Sequence, residues 1–162
     1  MTFYDLIDSP VGTLGCAVDG AGNVVSICFL AGREENEFVQ SLGSGARRDP
    51  IRVRALTHEL QDYFSGKRRH FNLPLKPTGT EFQQQVWKAL RDIPYGETRS
   101  YAQIARSIGR PKAVRAVGAA NGANPIPIVI PCHRVIGADG SMTGFGGGLE
   151  AKVRLLSLEK AR

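Results

Sequence analysis

Residues 124–134 read NPIPIVIPCHR, and neither a central strand nor a helix accommodates the first eight of them. Pro125, Pro127 and Pro131 each fix φ and remove an amide donor, which rules out a central strand or a helix interior. The chain must instead build a held approach, expected to be extended, that ends at Cys132. If Pro131 takes the first position of a short helical turn, Cys132 stands at that turn's N-terminus, where free amides favour thiolate over thiol. His133 follows at once, and then Arg134. Adjacent side chains rarely face one another, so His133 is expected to take the thiol proton through one water, with a carboxylate orienting its imidazole. Glu150 and Glu159, in the terminal stretch GGLEAKVRLLSLEK, are both candidates, and spacing does not choose between them. The competing reading of Cys132 is an inert core thiol.

The frame around this segment is that of a folded globular chain. It has 162 residues, 42% apolar and 22% charged, enough to bury a core without a cofactor or disulfides. Cys16, Cys28 and Cys132 are odd in number and form no CxxC pair, which disfavours a disulfide framework and a zinc cluster alike. A reducing compartment is implied. The start MTFYDLIDSP lacks a basic region followed by an apolar run, and no stretch of about 18 apolar residues occurs, so a cytoplasmic protein that neither enters nor crosses a membrane is expected.

Residues 3–30 alternate short apolar runs with DSPVG and DGAGN, turn-forming sequences that predict an antiparallel meander. REENEFVQSL and IRVRALTHELQDYFSG then carry apolar residues at helical spacing, the second placing Val53, Leu56, Leu60 and Phe64 on one face, with Gly66 as its stop. KRRHFNLPLKPTGT has the composition of a linker with one further short strand. It divides the chain into an α+β part, 1–76, and a more helical part, 77–162. Thr80 with Gln83 and Ser100 with Gln103 have capping-box spacing and predict two helix starts, the first helix facing inward with Phe82, Val86 and Leu90. Gly109 should close the second helix and Pro111 open a third, PKAVRAVGAANG. In the terminal helix Leu149, Val153 and Leu156, with Lys160 or Glu159, are expected on the inner face.

The short helices joined by GRP have the form of a helix-turn-helix. Lys and Arg outnumber Asp and Glu by 21 to 15, a formal charge of +6, as expected for a polyanion binder. Ala113, Ala116, Gly118, Ala119 and Ala120 leave the second helix nearly bare, with Arg115 its one long side chain beyond Lys112. Such a helix can nestle against another helix, or lie close to a sugar-phosphate wall while one arginine reaches in. The glycines of SMTGFGGG would let backbone amides approach a flat ligand.

From Gly79 to Glu159 the chain resembles the O6-alkylguanine-DNA alkyltransferases through FQQQVWKAL, IPYGETRSYAQIA, RAVGAANGANPIPIVIPCHRVIG and TGFGGGLEAK; IPCHRVIG is that family's active-site signature, unbroken. The N-terminal third matches more weakly, through DSPVGTL and YFSG. The resemblance implies a small ribonuclease-H-like sheet with helices, followed by a helical winged-helix-type domain containing the helix-turn-helix. It implies Cys132 as alkyl acceptor, activated through water by His133, which Glu159 orients, and Asn124 holding the cysteine turn. Tyr101 would serve N3 of the departing guanine. Arg115 would fill the stack where the nucleotide has swung out, with Ala116, Ala120 and Lys152 also in the DNA- and substrate-binding set. Backbone near Cys132 and Val135 would accept from the exocyclic amine, and the Gly146 amide would donate to O6. Many members carry serine at this last position. The implied partner is double-stranded DNA containing O6-alkylguanine, met by a monomer, with O4-alkylthymine as a second candidate substrate and cooperative binding along DNA left open. No cofactor is implied. Human-type members hold zinc in the N-terminal part, but Cys16, Cys28, His58 and His70 lack ligand-like spacing, so no metal is expected here.

Two other functions compete. Alkyltransferase-like damage sensors share the fold but replace the cysteine, commonly with tryptophan, and Cys132 is present. A thiol hydrolase built on Cys132 and His133 would leave the basic charge and the bare helix without a purpose.

Overall fold

The computed structural model describes residues 1–31, 34–142 and 147–160, and the chain forms two compact units, Met1–Thr78 and Gly79–Arg162. In the first, the expected meander is β1 (Thr2–Ile7), β2 (Leu14–Asp19) and β3 (Val24–Phe29), antiparallel in sequence. Asp19 makes the second turn by accepting from the Ala21 and Asn23 amides, with Gly22 at φ 88°. β4 (Arg47–Arg48) adds in parallel to β1, giving the order β3-β2-β1-β4. Leu75 extends the β3 edge by a single bridge to Val24.

β2 is buried along its length because both its faces are covered. Gly15 and Ala17 face Phe38 of α1 (Glu35–Ser41), and a Cβ at Gly15 would stand 2.6 Å from the Phe38 ring. The other face packs against α2 (Pro50–Phe64), whose Arg52 lies over the Phe3 ring. α2 is capped by Asp49, and its buried stripe is Val53, Leu56, Thr57, Leu60 and Tyr63. Phe64, expected inside, is half-buried, since spacings of three and four from Leu56 and Leu60 bring Tyr63 more nearly under the helix. Alternation across the strand sends Cys16 and Cys28 to opposite faces, the register pairing Gly15 with Cys28 and Cys16 with Ile27. They cannot share an ion.

The second unit opens with α3 (Glu81–Arg91), and α4 (Tyr101–Ser107) follows; both capping boxes are formed in full. Phe82 is half-buried while Val86, Trp87 and Leu90 form α3's inner face. α4 ends at Gly109, φ 76°, but α5 (Val114–Gly122) begins three residues later than Pro111. Pro111 and Lys112 lie instead in a turn closed by the Ala113 amide on the Arg110 carbonyl at 2.9 Å. α5 packs on α3 and α4 through Val117, Ala120 and Asn121, with Gly118 against the Tyr101 ring. β5 (Arg99–Ser100) pairs in parallel with β6 (Val135–Ile136). α6 (Leu149–Lys160) closes the unit.

The buried Trp87 Nε1 donates to the Ala120 carbonyl at 2.8 Å, tying α5 to α3. Trp87→Phe removes this bond and should cost about 1 to 2 kcal/mol of stability, read as a lower urea midpoint with an unchanged slope.

Candidate active site and nucleic-acid interface

The approach to Cys132 is not extended. It doubles back over residues 126–130, the Ile130 amide donating to the Ile126 carbonyl at 2.9 Å, and Ile128 sits at φ 75° while almost fully buried. A β-branched residue in that region costs about 1–3 kcal/mol and persists only where its surroundings enforce it. Asn124 enforces it: its Oδ1 accepts from the Ile126 amide at 2.9 Å and its Nδ2 donates to the Ile130 carbonyl at 2.8 Å. The same side chain pulls the Cys132 pKa downward. Cys132–Arg134 then form one 3-10 turn, with Pro131 preceding it.

Within this turn the polar groups are almost wholly buried. His133 Nε2 lies 2.7 Å from Glu159 Oε2, and Arg134 grips the same carboxylate twice, Nε to Oε1 at 2.9 Å and Nη2 to Oε2 at 3.0 Å. Arg134 Nη1 donates to the Ile93 carbonyl at 2.7 Å, and the Gly96 amide reaches Glu159 Oε1 at 3.4 Å. Burial pushes the Glu159 carboxyl upward, but the bonds and charges of His133 and Arg134 outweigh it and hold the group down at about 2. An ionised carboxylate can only accept, so the network assigns the imidazole proton to Nε2 and leaves the Nδ1 lone pair as the base. Nδ1 has no hydrogen-bond partner among the described residues. Burial lowers the His133 pKa; Glu159 opposes this, and Arg134 and Lys152 add to it.

The pull toward thiolate expected at the head of this turn is outweighed by burial. Cys132 is 5% exposed, and loss of water raises its pKa to about 11 against the opposing pull of Asn124, the Lys152 charge and the local amides. Burial therefore favours the thiol at neutral pH. Cys16, raised to about 12, is inert.

α6 differs from its expected orientation. Leu149 and Val153 are exposed, and the inner face is Ala151, Lys152, Leu155, Leu156 and Glu159. Apolar periodicity pointed elsewhere because it gives no weight to a buried lysine and glutamate seven residues apart, which share one helix face. Glu150 is exposed and pairs with Arg154. Lys152, expected in the DNA- and substrate-binding set, is fully buried and donates from Nζ to the Val135 carbonyl at 2.6 Å. Ala120 is also buried, its carbonyl accepting from Trp87. Arg115 and Ala116 are exposed on α5, and Tyr101 stands half-buried at the start of α4. Arg115 has no ion pair among the described residues. Gly146 lies outside them. Sequence reasoning found no use for Arg134, although it directly follows the Cys–His pair, nor for Asn121, whose Nδ2 approaches the Cys132 carbonyl at 3.4 Å.

The basic charge is not spread evenly. Residues 79–162 carry 12 Lys and Arg against 6 Asp and Glu, whereas residues 1–78 carry 9 of each. The whole excess of +6 therefore belongs to the unit that holds Cys132 and the helix-turn-helix. Among the described residues no helix is long and apolar enough to cross a membrane.

Two sequence profiles match the chain: "6-O-methylguanine DNA methyltransferase, ribonuclease-like domain" over residues 2–77, and "6-O-methylguanine DNA methyltransferase, DNA binding domain" over residues 81–161. A methylated-DNA–protein-cysteine methyltransferase of Methanosarcina barkeri is 48% identical over 158 residues, covering 98% of this chain and 97% of its own. The crystal structure of Mycobacterium tuberculosis O6-methylguanine methyltransferase is 48% identical, with a TM-score of 0.90 over 100% of this chain and 94% of that one. The M. tuberculosis protein in complex with DNA gives a TM-score of 0.87 at 45% identity, over 98% of this chain and 93% of that one.

The Glu159 carboxylate contributes stability that is present above the usual carboxylate range and lost as pH falls toward about 2. Glu159→Gln should cost about 3–5 kcal/mol at neutral pH, because Arg134 is left buried and unpaired. It should also flatten the loss of stability between roughly pH 4.5 and 2, as thermal melts across that range would read.

Proposed function

The chain belongs to the 6-O-methylguanine DNA methyltransferase family, and on that premise we propose that it repairs DNA by moving an alkyl group from O6-alkylguanine to its own Cys132, once and irreversibly. The observation that carries this reading is the pairing of the Cys132 turn with the His133–Glu159 contact of 2.7 Å. His133 Nδ1 takes the thiol proton through a water, and the imidazolium is stabilised by Glu159 across its other nitrogen. The thiolate attacks the alkyl carbon in line; the Sγ–C bond forms as the C–O6 bond breaks, and the electron pair leaves on guanine. Tyr101 donates to N3 of that leaving group. The Cys132 and Val135 carbonyls accept from the exocyclic amine. The product is a thioether, which nothing in the chain can reverse.

An alkyl group on O6 lies inside the duplex, so the nucleotide must be extruded, and a damaged pair opens at lower cost than an intact one. α5 supports this step: its outer face is small, and Arg115 stands on it. Residues 77–162 thus perform both binding and chemistry, with 1–76 as a companion domain. The protein works in the cytoplasm as a monomer on double-stranded DNA. O4-alkylthymine offers the same alkyl–oxygen bond and is a secondary substrate.

Incubation with duplex DNA containing O6-methylguanine should add one methylene's worth of mass to Cys132, and none to Cys16 or Cys28, with substrate consumed mole for mole. Repeated turnover, as a thiol hydrolase would give, would overturn the reading.

Arg115→Ala should impair repair of duplex DNA strongly, of a single-stranded oligonucleotide less, and of the free base O6-benzylguanine hardly at all, since only the duplex has a stack to refill. Equal losses on duplex and free base would mean that Arg115 shapes the pocket and is not the residue that fills the gap.

A further inference from the structure

We propose that Arg134 is a positioning residue for alkyl transfer: by clamping both oxygens of Glu159 it keeps that carboxylate charged and aimed at His133, and so sets the acid limit of Cys132 reactivity. The inference rests on the reading of Cys132 as alkyl acceptor.

Neighbouring residues in a strand or helix diverge, yet His133 and Arg134 reach one carboxylate. The 3-10 turn makes that possible, so base and clamp move as one piece. Arg134 is 6% exposed, and each of its three nitrogens has a partner: Glu159 Oε1, Glu159 Oε2 and the Ile93 carbonyl. Its guanidinium also stands 5.7 Å from the Tyr95 ring centroid. The loop after α3 thus braces Arg134, and through the Gly96 amide it braces Glu159 as well.

Without the guanidinium, Glu159 would lose two charge-assisted bonds, and burial would favour its neutral form. A neutral carboxyl could no longer stabilise imidazolium. It could also rotate, because two of the contacts that fix its plane would be gone. The charged and titratable groups facing this pair are His133 and Arg134 from the turn, Tyr95 from the loop, and Lys152 from α6 on the Cys132 side. Lys152 leaves the buried set one positive charge in excess when His133 is neutral, which a Cys132 thiolate would cancel.

Single-turnover transfer from free O6-benzylguanine, followed by intact mass from about pH 4.5 to 8.5, separates this role from simple bracing. Arg134→Met should slow transfer at neutral pH by about ten- to a hundredfold, the range seen when a buried orienting partner is lost. Its rate should also fall off at a higher pH than in the wild type. Arg134→Lys, which keeps the charge but loses the fork, should lie between them and serves if Arg134→Met does not fold. Arg134→Met combined with Glu159→Gln should be no slower than Glu159→Gln alone, because Arg134 acts through that carboxylate. A wild-type acid limit in both Arg134 variants, or a double variant slowed by the product of the single losses, would overturn the proposal. A wild-type protein that is not alkylated at Cys132 would instead overturn the reading beneath it.

Discussion

A single buried carboxylate organises the catalytic unit. Glu159, on the last helix, accepts from His133 and twice from Arg134, with the Gly96 amide also in reach; α6, the Cys132 turn and the loop after α3 therefore converge on two oxygen atoms. Ion clusters of this kind add little net stability, because desolvation consumes most of the Coulombic gain. What they supply is uniqueness. An apolar isostere could fill the same volume, but it would not specify which nitrogen of His133 holds the proton.

A second constraint governs the cysteine itself. Prolines remove alternatives for the backbone, Ile128 is driven into the left-handed region, and the Asn124 amide closes the turn by gripping both its ends. The thiol that results is rigidly placed but protonated, because burial outweighs every group that favours thiolate. Placement and reactivity thus pull in opposite directions at Cys132. In the proposed mechanism they are reconciled by the neighbouring His133, whose buried Nδ1 has no hydrogen-bond partner among the described residues.

Charge and shape divide between the two units in the same sense as the chemistry. The N-terminal sheet and its helices are electrically balanced, and the excess of positive charge lies wholly in the unit with the helix-turn-helix. There Gly118 stands against the Tyr101 ring within the fold, while Ala116 and Ala119 leave a low outer surface around Arg115.

What the sequence by itself determined was local. The turns at Asp19 and Gly22, the capping boxes at Thr80 and Ser100, the stop at Gly109 and the irregular backbone before Cys132 each depend on residues within a few positions of one another. Short-range steric and hydrogen-bonding rules suffice for these. The tertiary structure decided everything that depends on who is buried with whom. It selected Glu159 over Glu150, turned Lys152 and Ala120 inward, gave Arg134 its partner and kept Cys132 a thiol. His133 and Glu159 are 26 residues apart, and apolar periodicity placed Leu149 and Val153 on the wrong side of α6. A pattern that counts hydrophobes cannot foresee a helix whose inner face is set by two buried charges, because the pairing that makes their burial tolerable exists only once the chain has folded.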